Sequence, residues 1–244
     1  MRFGYVVPQG WREDLDGRDF ETAVRLAQRA EDAGFDSVWL YDHLQTRAGD
    51  PDRVLECWTT LAALARETKR VQLGQIVTCA LYRNAGLLAQ MASTVDAASG
   101  GRVIVGVGAG WDDREWRDFG YGASYPSTAE RLRHLEQTLV ALRERRPGRP
   151  VLVGGAGEKV LLRLVARYAD ACNLTDSFDP AFYRHKLDVL RRHCDEVGRD
   201  YDVIEKTASF TVDGPVDYAS LAAAGIERFI VYGDLDTVLS TLPL

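Results

Sequence analysis

Short apolar runs alternate with amphipathic stretches along the whole chain, and this alternation limits the fold more than any single motif does. The runs are Phe3–Val7, Ser37–Tyr41, Val71–Val77, Arg102–Val107, Pro150–Val153, Ala171–Leu174, Lys206–Val212 and Arg228–Tyr232, eight in all. Each is continuously apolar rather than alternating, as suits a parallel strand buried on both faces. Between them lie helical patterns. Phe20, Ala23, Val24, Ala27 and Ala30 mark one face of a helix that Gly34 stops. Leu55–Ala65, Leu87–Ala98, Ala129–Leu142, Val160–Tyr168, Phe182–Val197 and Tyr218–Ala224 read the same way, with Asp236–Leu242 as a short closing helix.

Repeated strand–helix units build either a closed barrel or an open doubly wound sheet. Eight units in 244 residues, with the last strand near the C-terminus, favour closure. The expected fold is therefore α/β, a (β/α)8 TIM barrel spanning residues 1–244 as one domain. No linker rich in Pro, Gly or Ser divides the chain. The turn signal Arg145–Pro150 reads as a tight connection into the fifth strand.

Composition narrows the function classes. Apolar residues are 46% and charged residues 27%, enough for a large core under a soluble surface. The net charge of −6 argues against a nucleic-acid protein, which needs a basic face. Cys57, Cys79, Cys172 and Cys194 are scattered without a C-x-x-C pair, so neither a zinc site nor a disulfide framework is expected, and a reducing cytoplasm fits. The opening MRFGYVVPQG does not read as a signal peptide, and no apolar stretch approaches the ~18–20 residues of a membrane span. The excess of Arg over Lys, with abundant Ala and Gly, suits a high-GC bacterial source.

In a barrel, chemistry sits where strands end and their following loops begin. The fifth strand runs into Gly154-Gly155-Ala156-Gly157 and then a helix. Such a turn lets backbone N–H groups approach a phosphate or carboxylate at the positive helix end, or is simply a tight connection. On the fourth strand, Gly106, Gly108 and Gly110 share one face and Trp111 marks the mouth. A face without side chains leaves room for a flat ligand or for close packing inside the barrel. The second strand ends in Asp42-His43. His43 is the histidine at a strand end, whereas His134, His185 and His193 fall in helical segments. It is a candidate general acid or base, or a polar cap. Asp42 points the other way if the strand continues, so the pair need not touch. Cys79 reads as pocket wall rather than nucleophile, and Glu31, Asp32 and Glu136 as solvated helix faces or helix pairs.

The stretches AEDAGFDSVWLYDHL, ECWTTLAALARETKRVQLGQIVT, YRNAGLLAQMASTVDAASGGRVIVGVGAGWDDREWRDFG, AERLRHLEQTL and VLVGGAGEKVLLRLVARYADACN follow one another in a familiar order, and AAAGIERFIVYG resembles a final strand unit. Over nearly its whole length the chain resembles the luciferase-like monooxygenase superfamily and, within it, the branch that uses the deazaflavin coenzyme F420. The resemblance implies a luciferase-like TIM barrel with the cofactor ring at its mouth, and hydride transfer to or from a small organic substrate. It implies that His43 and Asp42 serve catalysis, with Asp42 orienting His43 or binding the cofactor. It implies that Ile76, Val77, Thr78 and Cys79 form a third-strand bulge behind the ring, with a cis peptide at or beside Ile76–Val77. Gly108, Ala109, Gly110 and Trp111 would contact the cofactor, and Gly154, Gly155, Ala156 and Gly157 its phosphate. No metal is implied, and a homodimer is.

This chain also departs from the pattern. It is shorter than typical members, with reduced insertions between Leu142 and Pro150 and from Phe210 to Ala219, so the lid over the ring is short or supplied by a partner chain. Sugar-phosphate dehydrogenases of the branch carry a Glu near the position of Trp111, and that proton donor does not carry over. Gln9, Trp11, Tyr82, Trp111, Trp116 and Tyr125 suggest an aromatic-walled site. Two other readings stand beside F420 chemistry: an FMN-dependent monooxygenase, and a non-catalytic flavin-binding or partner subunit.

Overall fold

The computed structural model describes residues 1–14, 19–175 and 177–243. The strands are β1 (Arg2–Val6), β2 (Ser37–Leu40), β3 (Gln72–Gln75), β4 (Thr78–Cys79), β5 (Val103–Gly108), β6 (Val151–Gly154), β7 (Ala171–Thr175), β8 (Glu205–Thr211) and β9 (Arg228–Tyr232). Every pairing is parallel, in the order β3-β2-β1-β9-β8-β7-β6-β5-β4, and a further β3–β5 pairing closes the ring.

β3 and β4 both pair with β5, through Leu73 to Val103 and through Thr78 to Val107. They are two halves of one barrel strand, so the ring has eight positions. The single run expected over Val71–Val77 therefore breaks after Gln75. The Ile76–Val77 bulge stands between the halves, and its peptide bond is cis.

The helices are α1 (Phe20–Asp32), α2 (Cys57–Glu67), α3 (Ala85–Ser99), α4 (Asp113–Asp118), α5 (Thr128–Arg145), α6 (Leu161–Tyr168), α7 (Pro180–Val197), α8 (Tyr218–Ala223) and α9 (Leu235–Thr241). Local signals set their ends. The Asn84 side chain accepts from the N–H groups of Gly86 and Leu87 at the start of α3, and Ser127 with Glu130 forms a capping box on α5. α3 and α7 stop at Gly100 and Gly198, both left-handed. α4 was not expected from periodicity. It has six residues, too few to show a helical pattern, and forms because Asp112 accepts from the N–H groups of Arg114 and Glu115.

The core has two compartments, which explains the continuous apolar runs. Outward strand residues such as Tyr5, Val38, Leu73, Val105 and Val153 pack under the helices. Inward residues such as Val6, Trp39, Ile104, Leu152 and Ile230 fill the barrel. Trp39 occupies the space left by Gly4 and Gly74, where an added Cβ would lie 2.4 Å and 2.2 Å from its ring.

The lower end of the barrel, where the strands begin, is closed by charged side chains in full use. Buried Arg228 donates from Nε to Glu205 (2.8 Å), from one terminal nitrogen to Ser37 (3.2 Å) and from the other to Gln72 (2.8 Å), joining the starts of β8, β2 and β3. The Arg102 guanidinium donates to the carbonyls of Ala65, Thr68, Val71 and Ser99. Glu31 corrects the expectation of a solvated helix face. It is buried, and its carboxylate accepts from the backbone N–H groups of Lys69 (2.9 Å), Arg70 (2.5 Å) and Val71 (2.9 Å). Asp32 and Glu136 do behave as surface pairs, with Arg70 and Arg167.

Burial alone would raise the Glu31 carboxyl, but the three N–H donors outweigh it and hold the group below its ordinary value of 4.5. A carboxyl lowered by folding adds stability that is complete above about pH 4.5 and lost as pH falls through the lowered value. Glu31→Gln is therefore expected to cost about 1–3 kcal/mol at neutral pH. Urea unfolding at pH 7 and pH 3.5 checks this: the gap between variant and wild type should narrow in acid.

Candidate active site

The upper end of the barrel opens into a cavity of about 710 Å³, within the range of small-molecule sites. Its shape begins at the end of β1. Gly10 has a φ of +93°, and an added Cβ there would lie 1.9 Å from the Arg53 carbonyl oxygen. The tight turn it allows brings Trp11 and Arg12 into the cavity wall. Gln9 anchors that turn. Its Oε1 accepts from the Tyr41 N–H (2.6 Å) and its Nε2 donates to the Leu55 carbonyl (3.1 Å). Gln9 is thus a buried brace and does not line the pocket, contrary to expectation.

His43 lines the cavity and is held on three sides. Its ring stacks on Trp11, with centroids 3.9 Å apart and planes 5° from parallel, and meets the edge of Trp111 at 5.5 Å. Its Nδ1 lies 3.1 Å and 3.2 Å from the two carboxylate oxygens of Glu115. A carboxylate only accepts, so Nδ1 carries the hydrogen, and in the neutral ring Nε2 keeps its lone pair. Among the described residues Nε2 has no hydrogen-bond partner. The arrangement can take a proton from, or return one to, a group bound in the cavity.

Glu115 is the site residue that sequence reading missed. It is buried on α4, four residues after Trp111, and accepts from the Leu44 N–H (2.9 Å) and the Tyr82 hydroxyl (2.8 Å) as well as from His43. An acid therefore does stand beside His43. It comes from the next turn of chain rather than from the position of Trp111, whose own side chain is 65% exposed at the rim. Burial, with the negative groups around it, pushes the Tyr82 hydroxyl far above its ordinary range, which keeps it a donor to Glu115. The usable signal was Asp112 as a helix cap with acidic residues in the turn after it.

Asp42 and His43 lie beyond the end of β2 at Leu40, so strand alternation does not govern them; both border the cavity but take different partners. Asp42 makes no hydrogen bond to His43. Its two oxygens accept from the Arg83 guanidinium at 2.6 Å and 2.9 Å, and one also accepts from the Cys79 N–H at 3.1 Å. Arg83 binds Glu56 as well (2.6 Å), and Glu56 caps the start of α2. Burial pushes the Asp42 carboxyl up, and the Arg83 charge and hydrogen bonds pull against that. Burial would lower Arg83, but the surrounding carboxylates hold it above its ordinary value and thus charged. Asp42 still borders the cavity, as the fixed edge of this pair. Cys79 also lines it, and burial pushes its thiol up to about 12, so it presents a neutral S–H wall and no thiolate.

The cavity floor is the Ile76–Val77 bulge. Val77 lies against strand backbone that has no side chains: an added Cβ at Gly108 or Gly154 would come within 2.6 Å or 2.8 Å of it. At Gly106 a Cβ would lie 1.9 Å from the Gln75 carbonyl oxygen. The glycine face on β5 thus serves close packing of the bulge. Ile76, Val77, Cys79, Gly108, Ala109, Gly110, Trp111, Gly154 and Gly155 border the cavity, whereas Thr78, Ala156 and Gly157 do not. Thr78 turns into the core, where its hydroxyl accepts from the Trp58 indole N–H (3.1 Å). Ala156 packs on the core and the Gly157 carbonyl accepts from Leu162. Asn173 and Ser209 add a polar strip, linked by Ser209 Oγ to Asn173 Oδ1 at 2.9 Å. Trp11, Tyr82 and Trp111 line the cavity as expected, while Trp116 and Tyr125 pack on each other outside it.

Comparison with known proteins places this geometry in context. The luciferase-like monooxygenase family model matches residues 1–213. A 5,10-methylenetetrahydromethanopterin reductase from Archaeoglobus fulgidus is 28% identical, the alignment covering 98% of this chain and 73% of the relative. An F420-dependent glucose-6-phosphate dehydrogenase from Microbacterium testaceum is 28% identical over 84% of this chain and 66% of its own length. Among solved structures, an F420-dependent secondary alcohol dehydrogenase with an F420–acetone adduct superposes with a TM-score of 0.83 at 19% identity, covering 99% of this chain and 98% of the other. A monooxygenase from Streptomyces bottropensis gives 0.71 at 22% identity, covering 92% of this chain and 75% of the other. With the family matched over most of its length and the closed parallel barrel in place, the chain belongs to the luciferase-like monooxygenase family.

Proposed function

We propose that this protein is an F420-dependent oxidoreductase acting on a small organic substrate at the barrel mouth. The observation that carries the reading is His43, fixed by Glu115 and Trp11 beside the cavity with Nε2 unpartnered among the described residues. Relatives named as F420-dependent support the choice of cofactor. The cavity fits a flat ring. Its floor at Val77 abuts glycine backbone, and its far side opens on the Gly154–Gly155 turn.

The deazaflavin, when bound, supplies two-electron hydride chemistry. Ile76, Val77, Cys79, Gly108, Ala109 and Gly110 would support its ring, with Trp111 at the rim. The Gly154–Gly155 turn would bring its phosphate toward the backbone of Ala156 and Gly157 and the start of α6, the Gly155 N–H itself being taken by the Asn173 carbonyl (3.0 Å). His43 Nε2 takes the proton when a substrate hydroxyl is oxidised and returns it in the reverse direction. Glu115 keeps the hydrogen on Nδ1 and faces the positive charge that the ring then carries. Asp42 with Arg83 holds the end of β2 so that His43 cannot swing away. The same reading takes residues 1–244 as one catalytic domain of a cytoplasmic bacterial protein that works as a homodimer. No described helix is long and apolar enough to cross a membrane.

FMN with oxygen is the second reading, favoured by the monooxygenase among the structural neighbours. Titrating F420 and FMN in parallel, followed by cofactor fluorescence, separates the two. F420 should bind at least tenfold tighter, and tighter FMN binding with oxygen consumption overturns the first reading. His43→Ala should lower kcat by about 10²–10⁴ while F420 affinity changes little. Glu115→Gln should lower kcat by about 10–100-fold with KM nearly unchanged, because it acts through His43 rather than on substrate. Steady-state kinetics of both variants check this.

A further inference from the structure

The charged side chains along the cavity fall into two groups. Asp42 is paired with Arg83, Asp112 with Arg114, and Glu115 with His43. Arg114 has a second contact, its other terminal nitrogen donating to the Arg47 carbonyl (2.9 Å). Arg12 and Arg47 remain. Neither makes an ion pair among the described residues, and both border the cavity.

Arg12 is partly buried, with its guanidinium carbon 3.9 Å from the centroid of the Tyr232 ring and 5.4 Å from that of Trp11. One terminal nitrogen donates to the Thr211 hydroxyl (3.0 Å), while its Nε is buried with no hydrogen-bond partner. Asp14, two residues on, accepts from the Gly10 N–H and makes no ion pair with Arg12. Arg47 lies over the same Trp11 ring at 4.8 Å. Trp11, which stacks on His43, is therefore flanked by two guanidinium groups that make no ion pair among the described residues, Asp14 being the acid near Arg12.

Topology separates these arginines from the glycine turn. Around the ring β6 is the fourth neighbour of β1, counted through β9, β8 and β7 or through β2, the split strand and β5. Arg12 follows β1, opposite β6, and Arg47 follows β2, three strands from β6, so both stand well apart from the Gly154–Gly155 turn around the mouth. A phosphate held at that turn leaves them free for a different anion. Forked donors over aromatic faces suit a carboxylate or a phosphate ester, either of which accepts two N–H bonds from one guanidinium.

We propose that Arg12 and Arg47 form an oxyanion-binding wall and that the substrate is an organic anion. Its carboxylate or phosphate group would sit against these arginines, with its reacting carbon beside His43. The assignment of the substrate side rests on the function proposed above; the arginine wall itself does not.

The test uses the full chain. F420 is titrated first, which judges the cofactor reading alone. Benzoate, phenyl phosphate and uncharged benzamide are then titrated calorimetrically into the F420-saturated protein, or into the protein alone where F420 does not bind. At least one anion should bind about tenfold or more tighter than benzamide, and the preferred anion separates carboxylate from phosphate. Arg12→Gln and Arg47→Gln should each weaken that anion about five- to tenfold, while F420 affinity stays within about twofold. Anions that bind no better than benzamide overturn the proposal. So does a loss of F420 affinity matching the loss of anion affinity, which would assign the arginines to the cofactor. Should Arg12→Gln unfold, Arg47→Gln on the exposed loop decides alone.

Discussion

The carboxylate of Glu115 is the contact on which the mouth of this barrel depends. One buried group takes donors from His43, from the backbone after β2 and from the Tyr82 hydroxyl after β4. Two chain segments far apart in sequence are thereby fixed to the first turn of α4. A buried carboxylate has low free energy only while its donors stay in place, and these donors come from two different loops. The loops are consequently not independent. Displacing either of them leaves a charge short of partners, so the hydrogen bond that sets the tautomer of His43 also resists loop movement.

Below that contact the floor is set by shape rather than by charge. Val77 presses on strand backbone that carries no side chain, and Gln75 crowds Gly106 from the same side. The bulge and the glycines are one packing unit, since neither fits without the other. This answers the ambiguity of a glycine-lined strand face: it packs against the protein's own chain and, through the bulge it admits, shapes the surface offered to a ligand.

The barrel was legible because period and length repeat. Eight apolar runs with helices between them leave few topologies, and strands buried on both faces keep their signature in sequence. The broken third strand was half legible: the bulge was expected from resemblance, while Val71–Val77 gave no local sign of where pairing stops. The site was legible where strands end, at His43, Cys79 and Gly108. It was not legible where partners meet across loops. Nothing near Asp42 in sequence points to Arg83, 41 positions away, and nothing near His43 points to Glu115, 72 away. Glu31 misled for the same reason, because a helical carboxylate looks solvated until the loop it caps is seen. Short elements also escape, α4 being too brief for periodicity to register.

Arg228 has a consequence of its own. At the lower end, one fully enclosed guanidinium binds the beginnings of three strands, with Arg102 and Glu31 fastening the connections beside it. These fastenings share no residue with the mouth. The molecule is thus a foundation and a workshop joined by the barrel strands and the helices around them. Change in the upper loops can redirect chemistry without undermining what stands beneath, and repairs to the foundation need not alter the tools above. Relatives that differ at most positions can keep one frame while their trades diverge.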